Sequence, residues 1–152
     1  SDPNIFTSNF QYDAETRIPF TVMDSSSSCF KKGQRRSPLF NLIICQDLFD
    51  THERYTILLR DIITRYPGIQ ILLWNYPGQA FTSFPESNNK VSFTNAYHAT
   101  ILHGLLSHIQ CLTKNPTSPC SFDVAHPHYL LGYGAGASIA LHHASHHRTP
   151  HL

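Results

Sequence analysis

The sequence predicts an α/β domain: a mainly parallel sheet with antiparallel N-terminal edge strands and helices on both faces. Three observations lead there. Two short, nearly continuous apolar runs, at 39–45 and 69–74, have the pattern of strands buried on both faces. Segments with the 3.6-residue apolar period of helices lie between such runs, and a helix joining two buried strands implies a right-handed crossover to a parallel neighbour. At 152 residues the chain is also long enough for one domain with a real core.

Two alternating segments, 5–12 and 17–23, read as edge strands joined by the polar turn Asp13-Ala14-Glu15. A polar stretch and the run Lys31-Lys32-Gly33-Gln34-Arg35-Arg36 follow, the latter read as a solvated turn. After Ser37-Pro38 comes the first buried strand. Asp50, with Glu53 three residues on, has the spacing of a capping box, and Tyr55, Leu58, Leu59, Ile62, Ile63 and Tyr66 continue at helical spacing until Pro67-Gly68. The second buried strand, 69–74, runs into the turn Asn75-Tyr76-Pro77-Gly78. Tyr97, Ile101, Leu102, Leu105, Ile109 and Leu112 mark a second helix, capped by Ser92 or Thr94. A strand at 129–131 then meets a third helix whose Ala137, Ala140, Leu141 and Ala144 are expected to face the sheet.

Charged residues make up only 14% of the chain, well below the usual ~25%, so part of the surface is expected to be covered by something else. With a formal charge of +1 and no long basic face, the electrostatic drive toward nucleic acid or an anionic membrane is weak. No run approaches the ~20 apolar residues of a membrane helix. Cys29, Cys45, Cys111 and Cys120 include no C-x-x-C pair, and they read as reduced packing thiols of an intracellular, cytoplasmic protein, with a Cys111–Cys120 bridge as the alternative. The chain opens Ser1-Asp2-Pro3 without an initiator Met, which suggests a processed product or a piece of something longer.

Gly132-Tyr133-Gly134-Ala135-Gly136 carries the most information, because it joins an apolar strand to a small-residue helix. Such a junction resembles the G-x-S-x-G nucleophile elbow of the α/β-hydrolases, with Gly134 where the nucleophile would stand. Two further landmarks support the resemblance. The third strand of that family is followed by His-Gly and then by an oxyanion-hole N–H; the matching positions here read Gln46-Asp47, with Leu48 or Phe49 next, so the motif itself is absent. The fourth strand of the family ends D-x-x-G-x-G-x-S, and this chain has Asn75-Tyr76-Pro77-Gly78-Gln79-Ala80-Phe81-Thr82. The resemblance implies a single incomplete domain over 1–152, with edge strands in 4–23 and core β-α-β units in 38–147, corresponding to the N-terminal half of the fold.

Chemistry in that family needs a nucleophile, a base, a carboxylate and oxyanion donors. Gly134 supplies no attacking atom, and the family's acid and histidine come after later strands. Ser138 lies one turn inside the helix and points along it. What the resemblance implies is therefore a non-catalytic structural or interaction module of a larger assembly, whose protein partners cover an open sheet edge beside the elbow strand. The alternative is an esterase-like or lipase-like hydrolase inactivated at Gly134 or lacking its C-terminal catalytic half. A third reading is a ligand site at the helix N-terminus, formed by the N–H groups flanking Gly134, those of Tyr133 and Ala135, with Leu48 as the other candidate donor.

Rival patterns are weaker. Gly132 to Ala137 also satisfies G-x-G-x-x-A, but no acidic residue follows it, so no dinucleotide or other cofactor is expected. His142, His143, His146 and His147 form i, i+4 pairs without an H-E-x-x-H glutamate; they read as a protonatable helix end suited to its own dipole, not a metal site. His98, His103 and His108 are spread around their helix, and His126 and His128 read as loop residues.

Overall fold

The computed structural model describes residues 4–24, 40–79 except Pro67, and 93–147 except positions 116, 119, 121, 123, 125 and 126. The basic run at 31–36, Cys29, Ser92, His126 and the end of the Asn75–Thr82 motif lie outside the described residues. In chain order the elements are β1 (Asn4–Gln11), β2 (Arg17–Asp24), β3 (Phe40–Cys45), α1 (Glu53–Arg65), β4 (Ile69–Trp74), α2 (Asn95–Lys114), β5 (His128–Gly132) and α3 (Ala135–His146). The five strands form one sheet in the order β1-β2-β4-β3-β5. β1 pairs antiparallel with β2 and β2 antiparallel with β4, while β3 runs parallel to both β4 and β5.

Of the two opening strands only β1 is an edge. β2 is covered on both sides along Thr21 to Asp24, which explains why its alternation fades there. On one face Phe20, Val22, Ile43, Leu72 and Trp74 pack with Ile101, Leu102, Leu105 and Ile109 of α2 and Ile139 of α3. On the other, Met23, Ile44, Ile71 and Leu73 pack with Leu59 and Ile63 of α1. The layers are therefore helix, sheet and helix pair.

Helix ends correct the sequence reading in one case and resolve it in another. Thr94 caps α2, its hydroxyl accepting from Tyr97 N–H at 3.1 Å. Asp50 does not cap α1: His52 holds that position with no side-chain cap, and the Asp50 carboxylate accepts instead from the Arg54 guanidinium at 2.8 Å and the Tyr55 hydroxyl at 2.6 Å. The carboxylate also accepts from Thr51 N–H at 3.3 Å, and no N–H of the first turn of α1 bonds to it. α3 is also rotated from expectation: Gly136, Ile139, Ala140 and His143 are its buried residues, whereas Leu141 is 70% exposed and Ala144 faces outward. Cys45, Cys111 and Cys120 are all free thiols, so the alternative bridge does not form.

Candidate functional site

β3 lies between β4 and β5, which brings three sequence landmarks to the C-terminal end of one central strand. Gln46 and Asp47 follow β3, Asn75 to Gly78 follow β4, and the glycine elbow follows β5. Buried polar contacts tie these ends together. Gln46 Nε2 donates to the Trp74 carbonyl at 2.6 Å, and the Tyr76 hydroxyl donates to the Gln46 carbonyl at 2.6 Å. Tyr133 N–H donates to the Cys45 carbonyl at 3.0 Å. That bond uses up one of the two flanking N–H groups proposed from sequence as ligand donors.

Gly134 caps α3 with φ 60° and ψ −129°, a conformation that side chains rarely adopt and that elbow nucleophiles occupy under strain. Glycine takes it without steric cost. Two residues on, Gly136 lets the first turn of α3 close on β3: a Cβ there would run into the carbonyl oxygens of Cys45 and Gln46.

The space that a side chain at 134 would need is not empty. A Cβ built on Gly134 would overlap the carboxyl carbon and both oxygens of Asp47. Asp47 Oδ1 accepts from Ala135 N–H at 2.9 Å and from Leu48 N–H at 2.9 Å. These are the remaining two of the three donors named from sequence, and one oxygen takes both. Asp47 thus acts as the N-cap that Gly134 lacks, reaching α3 from β3, and a carboxylate at a helix N-terminus is favoured by the helix dipole as well. The sequence reading recorded only a missing His-Gly motif at this place and did not assign Asp47 a role.

Other potentially reactive groups nearby are poorly suited to attack. Burial pushes the Cys45 thiol up to about 12 and raises the Tyr76 phenol further still. Burial also lowers His98, whose ring packs edge-on to Tyr76 at 5.1 Å and whose Nδ1 lies 2.8 Å from the Thr94 carbonyl. At the rim stand Leu48, Phe49 and Tyr133, all exposed. Phe49 is 87% exposed and has φ 64°, held by its N–H bond to Gln79 Oε1 at 2.6 Å. Among the described residues no group of three or more His, Cys, Asp or Glu side chains is placed to hold a metal ion.

The order of strands and helices matches that of α/β-hydrolase enzymes among solved structures. The chain has a partial α/β-hydrolase fold. A carboxyl esterase from Bacillus coagulans, described as highly thermostable, superposes with a TM-score of 0.60 at 15% identity, over 94% of this chain and 40% of its own. An α/β-hydrolase enzyme, MGS-M2, from a Medee basin deep-sea metagenome library gives 0.59 at 18% identity, over 92% and 40%. Cfl2 from Burkholderia cenocepacia gives 0.58 at 17%, over 93% and 37%. The chain therefore spans about two fifths of the length of these solved structures. No protein-family model matches the sequence, and no curated protein does. At these identities the likeness establishes the fold alone. Within the α/β-hydrolase frame β5 is the last strand of the described sheet, and its edge presents the exposed side chains of Tyr129 and Leu131. No helix among the described residues is long and apolar enough to cross a membrane.

Proposed function

We propose that this chain is a non-catalytic α/β-hydrolase-like structural or protein-interaction module, a component of a larger assembly in the cytoplasm. The observation that carries the reading is the Asp47 carboxylate: it fills the space of an elbow side chain and takes both N–H groups that would otherwise stabilise an oxyanion. The machinery of attack becomes a strut between β3 and α3. In support, β5 at the end of the described sheet exposes Tyr129 and Leu131, two apolar side chains on one face of the strand. A protein partner covering that edge fits the low charge of the surface; nucleic acid does not.

The rival reading, an esterase-like enzyme disabled by a single Ser-to-Gly change at 134, is disfavoured by the same carboxylate. A serine there must push the Asp47 carboxylate off both of its N–H donors. The test uses the longest natural form of the chain and a generic p-nitrophenyl ester. The non-catalytic reading expects no turnover from the natural protein and none from Gly134→Ser, together with co-purification of partners in fixed stoichiometry from the native source. Ester turnover by the natural protein, abolished by Asp47→Asn, would overturn it.

A further inference from the structure

The C-terminal half of α3 buries a histidine where a helix of this kind ordinarily buries an aliphatic side chain. His143 is 1% exposed, and neither of its ring nitrogens has a hydrogen-bond partner among the described residues. A neutral imidazole carries one donor and one acceptor, so both are left unsatisfied, at a cost that an aliphatic residue would avoid. The surroundings are more imidazoles. His147, one turn on, lies 5.4 Å away between ring centroids, and His103 of α2 lies 6.4 Å away. His103 and His147 stack on each other at 4.8 Å and 27°. From the sheet side His128, the first residue of β5, also acts on His143. The charged-group influences on His143 come from His147, His103 and His128, with no carboxylate among them. The sequence reading of a helix end that welcomes protons is thus corrected at this position: His143 faces inward, against other bases.

We propose that His143, packed among His103, His147 and His128, is an acid-operated latch: protonation of His143 releases the C-terminal half of α3 from α2 and β5. The latch is closed while the His143 ring is neutral. A proton taken up there places a positive charge in a buried site among other imidazoles, and moving α3 into water relieves both the desolvation and the repulsion. Because the N-terminus of the same helix carries the Ala135 N–H held by Asp47, the latch and the strut act on one element from its two ends.

The sign follows from which state binds more protons. Burial first, then the neighbouring histidines, hold His143 down at about 4 against an ordinary 6.5, and burial lowers His147 too. Between those values the released helix binds the proton and the docked helix does not, so docking is fully favoured above about 6.5 and loses ground as pH falls toward 4. A difference of that size multiplies the opening equilibrium of α3 on the order of fiftyfold between pH 7 and pH 4.5. Buried histidines elsewhere, His52 and His98, are also held low by burial and make the whole fold acid-sensitive, so the test must be local.

Hydrogen exchange read by mass spectrometry at pH 7 and 4.5, corrected for intrinsic rates, compares peptides from 139–147 with peptides from the central strand β4, 69–74. Protection of 139–147 is expected to fall roughly fiftyfold while that of 69–74 changes far less, and His143→Phe is expected to remove most of that fall. Loss of protection in both segments together, or an undiminished acid response in His143→Phe, would sink the proposal. Should His143→Phe fail to fold at pH 7, the pair His103→Gln and His147→Gln serves instead: it leaves His143 in place and removes its repelling neighbours. A smaller acid response in that pair supports the latch, and an unchanged one overturns it.

Discussion

Replacing Gly134 by alanine measures how far the elbow has been rebuilt around Asp47. The methyl carbon would land on the carboxyl group, so the Asp47 side chain must swing away and both of its N–H bonds, each 2.9 Å, are lost. Bonds to a charged acceptor are worth about 1.5–3 kcal/mol when well shielded, and the partial exposure here reduces that to about 1 kcal/mol each. The alanine must also adopt φ 60°, ψ −129°, a further ~1–3 kcal/mol. The total for Gly134→Ala is about 3–5 kcal/mol of lost stability. Urea unfolding followed through the fluorescence of Trp74, the only tryptophan and fully buried, reads it directly. The decisive measurement is the double-mutant cycle with Asp47→Gly. Once the carboxylate is gone, Gly134→Ala is expected to cost only the backbone strain, which leaves a coupling of about 2 kcal/mol between positions far apart in sequence. Additive effects, within ~0.5 kcal/mol, would refute the claim that the two residues share one space.

Other outcomes follow from the same geometry. Gly136→Ala places a methyl group against the Cys45 and Gln46 carbonyls, neither of which can yield without moving β3, and is expected to destabilise by about 3 kcal/mol in thermal melts. Thr94→Ala removes the α2 cap and is expected to cost about 1 kcal/mol by urea titration, with Thr94→Ser retaining most of it. Native protein treated with a thiol reagent near pH 8 should modify Cys111 quickly, and Cys45 and Cys120 only on unfolding. Cys111 is exposed, whereas the other two are buried and burial holds their thiols protonated. Rapid native labelling of Cys45, mapped by peptide mass, would contradict the packing of β3.

What could be read from the sequence was what is written in neighbouring residues. The apolar runs of β3 and β4, the period of α2 and the cap at Thr94 depend on segments of a few residues, and each appears where its pattern places it. The elbow was legible for the same reason, since glycine spacing at a strand-to-helix join is local. α3 was placed correctly but turned wrongly. Its first eight residues are mostly small, so they carry little apolar period, and the closest contact is made by Gly136, which no hydrophobicity pattern marks. The Asp50 cap failed because two side chains of α1 compete for the same carboxylate. Asp47 was missed for a deeper reason. Its role exists only in partnership with residues nearly ninety positions away, although one clue was present: a position where the resembling family keeps glycine had gained a side chain, and the position where it keeps a side chain had become glycine.

Phe49 shows what that exchange leaves behind. A bulky residue in a left-handed backbone, with its ring in water, stores a strain of ~1–2 kcal/mol that no burial repays. Phe49→Gly should therefore yield a firmer molecule, an uncommon result for deleting an aromatic ring. The bend after β3 holds its form twice over, through its own Asp47, which takes the Leu48 and Asp50 N–H groups, and through the amide of Gln79, which takes that of Phe49, so the turn after β4 shares in fixing where the bend lies.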